Sequence, residues 1–174
     1  RLPSALDNRP LKIDEFEAYW NARYPSTVIR RSLAALLSGK QGSPNGASGI
    51  ASVGALCTTS GYGVNQLFTS LYWGVPDDLI IVAHEVGHNF GAFHTHSCYY
   101  GTPMDRCVTP EDGSCGSATG CPGSQTFNGV TTNGTLMSYC DCSPWNLVFH
   151  TRSITDNPAD PYGIDSILTE VAGA

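Results

Sequence analysis

One short segment constrains this chain more than any other, the run of eleven residues His84-Glu85-Val86-Gly87-His88-Asn89-Phe90-Gly91-Ala92-Phe93-His94. His84 and His88 are four residues apart, a spacing that on a helix places both imidazoles on one face, about 40° apart around the axis and about 6 Å along it. Gly91 allows the chain to reverse and bring His94 toward the same point. Three neutral imidazoles favour zinc with water in the fourth tetrahedral position, so the segment predicts a metal centre.

Glu85 follows the first predicted ligand and is long enough to reach that water without binding the metal. Zinc lowers the pKa of a bound water toward about 7, so we expect Glu85 to act as general base toward water and then as proton donor to a leaving amine. If all residue types were equally frequent, three histidines, one glutamate and one glycine at these spacings would occur by chance somewhere in a chain this long with a probability on the order of 10⁻⁴. The alternative is a buried helix whose histidines satisfy local hydrogen bonds.

The composition excludes several classes of protein. The chain has 174 residues, enough for one domain with a hydrophobic core, and only 14% of them are charged. The net charge is −6 and no basic stripe is present, which argues against a nucleic-acid partner. No apolar run approaches the length that spans a bilayer, because the richest one, Leu79 to Ala83, stops at His84.

The cysteines indicate an oxidising compartment. Six of the seven lie between Cys98 and Cys142, in sequence typical of loops. We therefore expect disulfides and a secreted protein, with one thiol unpaired or bonded outside the chain. A cytosolic metal cluster is the alternative, and it fits less well because paired C-x2-C knuckles are lacking.

Patterning predicts the main elements. Ile13 to Tyr24 is typical of an amphipathic helix that Pro25 ends, and Gly49 to Thr58 of a strand. Asp77 and Asp78 favour a helix start, giving a helix to about Phe90 that is apolar nearly all round and therefore buried, with Gly91 as a left-handed cap. The remaining stretches are Thr27 to Leu37 (strand or helix), Gly39 to Gly49 (loop), Gly61 to Tyr72 (strand or bent loop), Thr95 to Gly134 (irregular), and a closing helix through Ile164, Ile167, Leu168 and Val171.

The histidine segment matches the extended pattern H-E-x-x-H-x-x-G-x-x-H of the metzincins, and Thr135-Leu136-Met137-Ser138-Tyr139 resembles their Met-turn. Within that clan the chain looks most like reprolysin-like (adamalysin-type) enzymes, especially their bacterial secreted relatives. The resemblance implies a zinc-dependent endopeptidase that hydrolyses internal peptide bonds of proteins. It also implies that Met137 forms an apolar floor beneath His84, His88 and His94.

Three departures from the adamalysin pattern are evident. Thr95 stands where adamalysins usually carry Asp, and Tyr139 follows the Met-turn methionine by two residues. In astacins and serralysins a tyrosine there is an extra zinc ligand that swings away to steady the oxyanion, so Tyr139 is a candidate for that role, with a packed aromatic as the alternative. The third departure is that the first strands of the family domain are not recognisable before Leu11.

The resemblance further implies a single metalloprotease catalytic domain over residues 1–174. We expect an α/β (α+β) fold with a mostly parallel twisted sheet, the active-site helix and an irregular, disulfide-linked lower part. An extended peptide would pair with the edge strand Ile50 to Leu56, and Ser143 to Phe149 would line the specificity pocket. A plain core strand is the alternative for the edge strand. The expected substrate-binding residues are Ile50, Ala51, Ser52, Val53, Gly54 and Ala55.

The remaining expectations concern partners and other polar residues. A protein or peptide substrate, zinc as the cofactor and a monomer are expected, whereas calcium lacks support because Asp105, Glu111 and Asp112 are sparsely spaced. We interpret those carboxylates and His96 as solvated loop residues. The rival functions are a zinc-containing binding protein that has lost catalysis, a metalloenzyme acting on something other than peptide, and an inactive fragment.

Overall fold

The computed structural model describes residues 13–39, 48–67, 71–72, 75–101, 103, 106–118, 120, 125–127, 130–132 and 135–139. The elements in chain order are α1 (Ile13–Arg23), β1 (Ala34–Ser38), β2 (Gly49–Ala51), β3 (Tyr62–Gln66), β4 (Leu71–Tyr72), β5 (Val75–Pro76), α2 (Asp77–Asn89), a 3-10 helix (Cys98–Tyr100), β6 (Gln125–Phe127) and β7 (Val130–Thr132). The chain divides into two compact units, residues 1–91 and 92–174. The predicted closing helix and the predicted pocket lining at 143–149 lie outside the described residues.

The first unit is built on a three-stranded sheet with the order β1-β3-β2. β1 runs parallel to β3, whereas β2 runs antiparallel to it. All five residues of the central strand β3 are buried, as expected for a strand covered on both faces. The α+β fold class is confirmed, and its sheet joins one parallel and one antiparallel pairing.

Helix α1 packs against β3 through an aromatic core. Phe16 meets the Tyr62 ring edge-on, with ring centroids 5.4 Å apart and an interplanar angle of 86°. Such edge-to-face pairs stabilise a core beyond the area they bury. The predicted helix is therefore confirmed, and it ends at Arg23, just ahead of Pro25. The core cluster consists of Phe16, Tyr62 and Val64, with Ile13, Trp20, Ala34 and Leu36 packed around it.

Helix α2 begins and ends where the sequence predicts. It runs from Asp77 to Asn89, and Gly91 adopts a positive φ of 99° with its N–H donating to the His88 carbonyl at 2.8 Å. The helix is buried over its C-terminal half, as expected, but not near its start. Leu79 is 52% exposed, whereas His84, Glu85 and the polar residues that follow are buried. Hydropathy indicates which side chains prefer burial, but the sheet covers the polar C-terminal half.

The strand predicted from Gly49 to Thr58 is wrong in its length, because β2 ends at Ala51. Gly54 and Cys57 adopt positive φ angles of 64° and 60°, which no strand accommodates. The residues after Ser52 instead satisfy the last carbonyls of α2: Gly54 N–H donates to His88 O at 2.9 Å and Leu56 N–H to Asn89 O at 3.0 Å. The last carbonyls of a helix have no hydrogen-bond partner within the helix. Because residues 54 and 56 bond these carbonyls, the chain leaves the sheet after β2.

Two further stretches, for which the sequence left two structures possible, each have a defined structure. Thr27 to Leu37 forms turns and then β1, and Gly61 to Tyr72 contains β3 and β4. The second unit is irregular around the 3-10 helix, but it also holds an antiparallel hairpin of β6 and β7 that was not predicted.

Cross-links are present in the second unit. Cys98 and Cys115 form a disulfide with a Cα–Cα distance of 5.5 Å, and Cys107 is disulfide-bonded as well. Cys57, in the first unit, is a free and exposed thiol. The expected disulfides and the expected unpaired cysteine are thus confirmed among the described residues. None of the described helices has the length and apolar character needed to cross a membrane.

Candidate metal centre

The three predicted histidine ligands converge. His84 and His88 occupy the last two turns of α2, with ring centroids 4.7 Å apart, and both side chains are buried. His94 follows the reversal at Gly91. One ring nitrogen of each histidine lies within 4.8 Å of a ring nitrogen of the other two. Three imidazole nitrogens at this separation fit a divalent metal ion, and the all-nitrogen donor set suits zinc.

Glu85 is buried in the same helix. It is 6% exposed, and its Oε2 has no hydrogen-bond partner among the described residues. Burial raises the pKa of its carboxyl group from the ordinary 4.5 to about 7. An unsatisfied buried carboxylate oxygen is costly, and such groups concentrate where a ligand or a reaction uses them.

Gly49, the first residue of β2, lies against the Glu85 side chain. A Cβ added at Gly49 would lie 2.6 Å from Glu85 Cγ and 2.7 Å from Cδ. Real Cβ atoms do not approach other atoms this closely, so only glycine leaves the carboxylate where it is. From the sequence, Gly49 was predicted to begin a strand, but its contact with Glu85 was not predicted. A single glycine at the start of a strand does not indicate such a contact.

Asn89 anchors the end of α2 to the sheet and was also missed. Its Nδ2 donates to the carbonyl oxygens of Ser52 and Tyr62, each at 2.9 Å. A buried carbonyl without a donor costs free energy, so this amide fixes the helix end, and with it His88, relative to β2 and β3. The available signal is the position of Asn89, a polar residue four positions after Glu85 and therefore on the same face of α2.

In the second unit, the residue after His94 is tied to the segment that resembles a Met-turn. Thr95 N–H donates to the Met137 carbonyl at 2.9 Å, and the Thr95 and Thr135 hydroxyl oxygens are 2.6 Å apart. Met137 is 2% exposed, as an apolar floor residue would be. A threonine hydroxyl therefore makes the connection at the position where adamalysins usually carry Asp.

Tyr139 lies beside two of the histidines. Its ring centroid is 4.4 Å from that of His94 and 4.7 Å from that of His96, and the residue is 54% exposed. It therefore packs against His94 and keeps access to solvent. These contacts are compatible with both roles expected for it.

His96 and Glu111 are not solvated loop residues, and that expectation is wrong. His96 is 1% exposed. Glu111 Oε2 lies 2.6 Å from His94 Nδ1, and Oε1 lies 3.3 Å from His96 Nε2. Desolvation raises the pKa of Glu111, but hydrogen bonding to His94 and the charges on both histidines give a net lowering, so its carboxylate is ionised at neutral pH.

The neighbouring carboxylates differ from Glu111. Asp112 is exposed and accepts a hydrogen bond from the Ser97 hydroxyl at 2.9 Å. Asp105 lies outside the described residues.

Contact between Glu111 and the histidines was not predictable, because the chain between them has no periodicity from which its path could be read.

Comparison with known proteins agrees with these observations. A reprolysin model of metallo-peptidase family M12 matches residues 14–149. No match was found among curated proteins. The matched range covers most of the chain and includes the three histidines, Glu85 and Tyr139.

Proposed function

Because the chain belongs to metallo-peptidase family M12 as a reprolysin-like metzincin, we propose that it is a zinc-dependent endopeptidase that hydrolyses internal peptide bonds of proteins. The observation that carries this proposal is the convergence of three imidazoles beside a buried, unpaired carboxylate oxygen. The family match runs across both compact units, which supports a single catalytic domain. The Cys98–Cys115 disulfide supports secretion, since such bonds persist in oxidising compartments.

His84, His88 and His94 would hold the zinc ion. Bound there, zinc supplies a Lewis acid for the scissile carbonyl and lowers the pKa of water. Glu85 accepts the proton of the attacking water and then delivers it to the nitrogen of the leaving amine. A pKa near 7 suits a group that must do both at neutral pH. Gly49 supports this role by leaving room for the carboxylate, which a Cβ at this position would displace.

Two further residues act around this centre. Met137 is proposed as the apolar floor, which its burial supports. Tyr139 is proposed to donate its phenolic hydrogen to the oxyanion that develops on the scissile carbonyl, and its exposure beside His94 supports that role. The alternative role for Tyr139 is that of a packed aromatic. Tyr139→Phe distinguishes the two roles, because it removes the hydroxyl donor and keeps the aromatic ring.

We propose that substrate pairs with the free edge of β2. Ser52 N–H donates to Tyr62 O at 3.2 Å and Gln66 N–H to Ser48 O at 2.8 Å. Antiparallel strands alternate bonded and non-bonded positions, so the peptide groups of Gly49 and Ala51 point away from β3. These groups can bind an extended peptide by strand addition.

The expected binding stretch is shorter than the sequence implied. The backbone N–H groups of Gly54 and Leu56 are already bonded to α2, so the stretch of strand addition ends near Ser52. Ala51 keeps its proposed role in backbone pairing. The backbone groups of Ile50 face β3, and those of Ser52 bond Tyr62 and Asn89, so Ile50 and Ser52 would contact substrate only through their side chains. Val53 and Gly54 are exposed and would contact substrate through a turn and not through a strand, whereas Ala55 is buried and would support that turn from inside.

The proposal predicts that Glu85→Ala binds zinc but cleaves peptides 10²- to 10⁴-fold more slowly, because it lacks the proton-transfer group. The measurement is cleavage of a mixed peptide library read by mass spectrometry, beside metal analysis of the same samples. Glu17→Ala is the control, since it removes a glutamate from α1, and it should retain wild-type activity.

Two outcomes would contradict the proposal. Full activity of Glu85→Ala would exclude the general-base role. A wild-type protein that binds one equivalent of zinc and cleaves no library peptide would instead support a zinc-containing binding protein or an enzyme acting on another substrate.

A further inference from the structure

His94, one of the three proposed ligands, has a carboxylate against its ring. Its Nδ1 lies 2.6 Å from Glu111 Oε2, within reach of a short charge-assisted hydrogen bond. A neutral imidazole has one donor and one acceptor nitrogen. If Nδ1 carries the hydrogen and donates it to the carboxylate, the lone pair is on Nε2, where a metal can use it.

We propose that Glu111 is a positioning residue that fixes the tautomer and ring orientation of His94 and strengthens it as a metal ligand. This inference rests on the proposed metal centre. Carboxylates that accept a hydrogen bond from a ligating histidine raise its basicity and hold its ring, and losing such a partner typically weakens metal binding 10- to 100-fold.

The backbone holds Glu111 in place for this role. Glu111 N–H donates to His96 O at 3.2 Å, and Cys98 N–H donates to Glu111 O at 2.9 Å. Ser97 and Glu111 thereby form a parallel bridge. The Cys98–Cys115 disulfide closes the loop that carries Glu111, so this carboxylate is organised before any metal binds.

His96 lies beside the other carboxylate oxygen, at ion-pair distance. Its Nε2 lies 3.3 Å from Glu111 Oε1, and its ring stacks on that of His94 with centroids 5.1 Å apart and an interplanar angle of 12°. Because His96 is buried, its ring has little freedom to move and packs against both His94 and the Glu111 carboxylate. The two oxygens of Glu111 are thus divided between the two histidines.

The same three side chains could be interpreted as a second cation site, since their donor atoms lie within 4.8 Å of one another. The geometry favours the hydrogen bond. Two donor atoms on one tetrahedral zinc ion lie about 3.3 Å apart, whereas His94 Nδ1 and Glu111 Oε2 are 2.6 Å apart. His96 is also almost completely shielded from solvent.

The test compares Glu111→Ala and Glu111→Gln with wild type. The zinc dissociation constant is measured by competition with a chromophoric chelator. Glu111→Ala should weaken binding 10- to 100-fold, whereas Glu111→Gln should recover part of that loss because its amide oxygen still accepts from Nδ1–H. Asp112→Asn is the matched control: it removes the same charge one residue away, at a φ of 59° that asparagine tolerates, and should bind zinc as wild type does.

A second measurement reads the tautomer directly. Nitrogen-15 NMR of the metal-free protein should show His94 protonated on Nδ1 in wild type and Asp112→Asn, and a change toward Nε2 protonation in Glu111→Ala. A residue that only stabilised the loop would not move this signal. Should Glu111→Ala fail to fold, Glu111→Gln carries the test, with the Nδ1 tautomer retained and zinc binding weakened less than 10-fold.

The inference fails if Glu111→Ala binds zinc with the wild-type constant or keeps the wild-type His94 tautomer. It also fails if wild type binds two equivalents of zinc and both Glu111→Ala and His96→Ala bind one, which would establish the second cation site. Neither readout requires peptidase activity. If the protein binds zinc but cleaves no peptide, the proposed function is overturned and the role of Glu111 is not. If the protein binds no zinc, the His94 tautomer measured by NMR still tests whether Glu111 positions that ring.

Discussion

At the scale of single residues, the contact between Gly49 and Glu85 makes the sharpest prediction. In Gly49→Ala the new Cβ must displace the Glu85 side chain, because three of its atoms lie closer than a Cβ can approach. We expect peptidase activity to fall by about 10²-fold, the usual consequence of moving a reacting group by about 1 Å. Zinc content should stay at the wild-type level, because the imidazoles are untouched.

Gly39→Ala is the matched control for that variant. Nothing lies within 4 Å of a Cβ added at Gly39, so the same substitution there meets open space. It should leave both activity and zinc content unchanged. Equal activities of the two variants would show that the position of Glu85 is not set by Gly49.

The sequence predicted the three metal ligands but not the residues that position them. His84, His88 and His94 lie within one helix and one glycine turn, so helical geometry alone brings them near one another. Glu111 follows His94 by seventeen residues of aperiodic chain closed by a disulfide. Disulfide pairing cannot be read from a single sequence, and without it the position of Glu111 has no local signature.

At the scale of elements, the docking of α2 on the sheet depends on Asn89. Asn89→Ala removes two hydrogen bonds: the Ser52 carbonyl loses its donor, and Tyr62 O keeps only the Ser52 N–H. We therefore expect the free energy of unfolding to fall by about 1–3 kcal/mol. Urea denaturation with excess chelator measures this without a contribution from metal binding.

Asn89→Asp separates the hydrogen bonds from packing. The two side chains have nearly the same shape, but ionised Asp has only acceptor oxygens, which would face the carbonyls of Ser52 and Tyr62. It should therefore lose more stability than Asn89→Ala at pH 8. Wild-type stability of Asn89→Asp would mean that the amide donors do not hold the helix end.

The same docking explains which elements were predictable. The ends of α2 follow from local chemistry, with acidic residues at the start and Gly91 at the stop, and they were predicted within a residue. The length of β2 was not, since small apolar residues continue past Ala51 while the chain turns away to bond the end of α2. That departure depends on a tertiary contact, which a periodicity of hydrophobic residues does not encode.

At the scale of the whole molecule, the two compact units differ in what stabilises them. The first has an aromatic and aliphatic core between α1 and the sheet. The second contains six of the seven cysteines, among them the disulfide-bonded pair Cys98 and Cys115. Cross-links and bound metal both add to the stability of a folded chain segment.

Metal removal should therefore lower the stability of the whole molecule. A ligand that binds only the native state adds about 4 kcal/mol when its free concentration is 1,000 times its dissociation constant. For a chain of this size that corresponds to a rise in melting temperature of about 10 °C. Calorimetry of the chelator-treated protein, before and after zinc is restored, measures this shift.

Two comparisons decide whether the shift comes from the histidine centre. His84→Gln lacks one imidazole and should melt at nearly the same temperature with and without zinc, because two ligands bind the ion too weakly to stabilise the fold. Calcium should produce no comparable shift in wild type, since it prefers six to eight oxygen ligands and the centre offers three nitrogens. A zinc-dependent shift that persists in His84→Gln, or a calcium shift of equal size, would place the stabilising ion elsewhere in the chain.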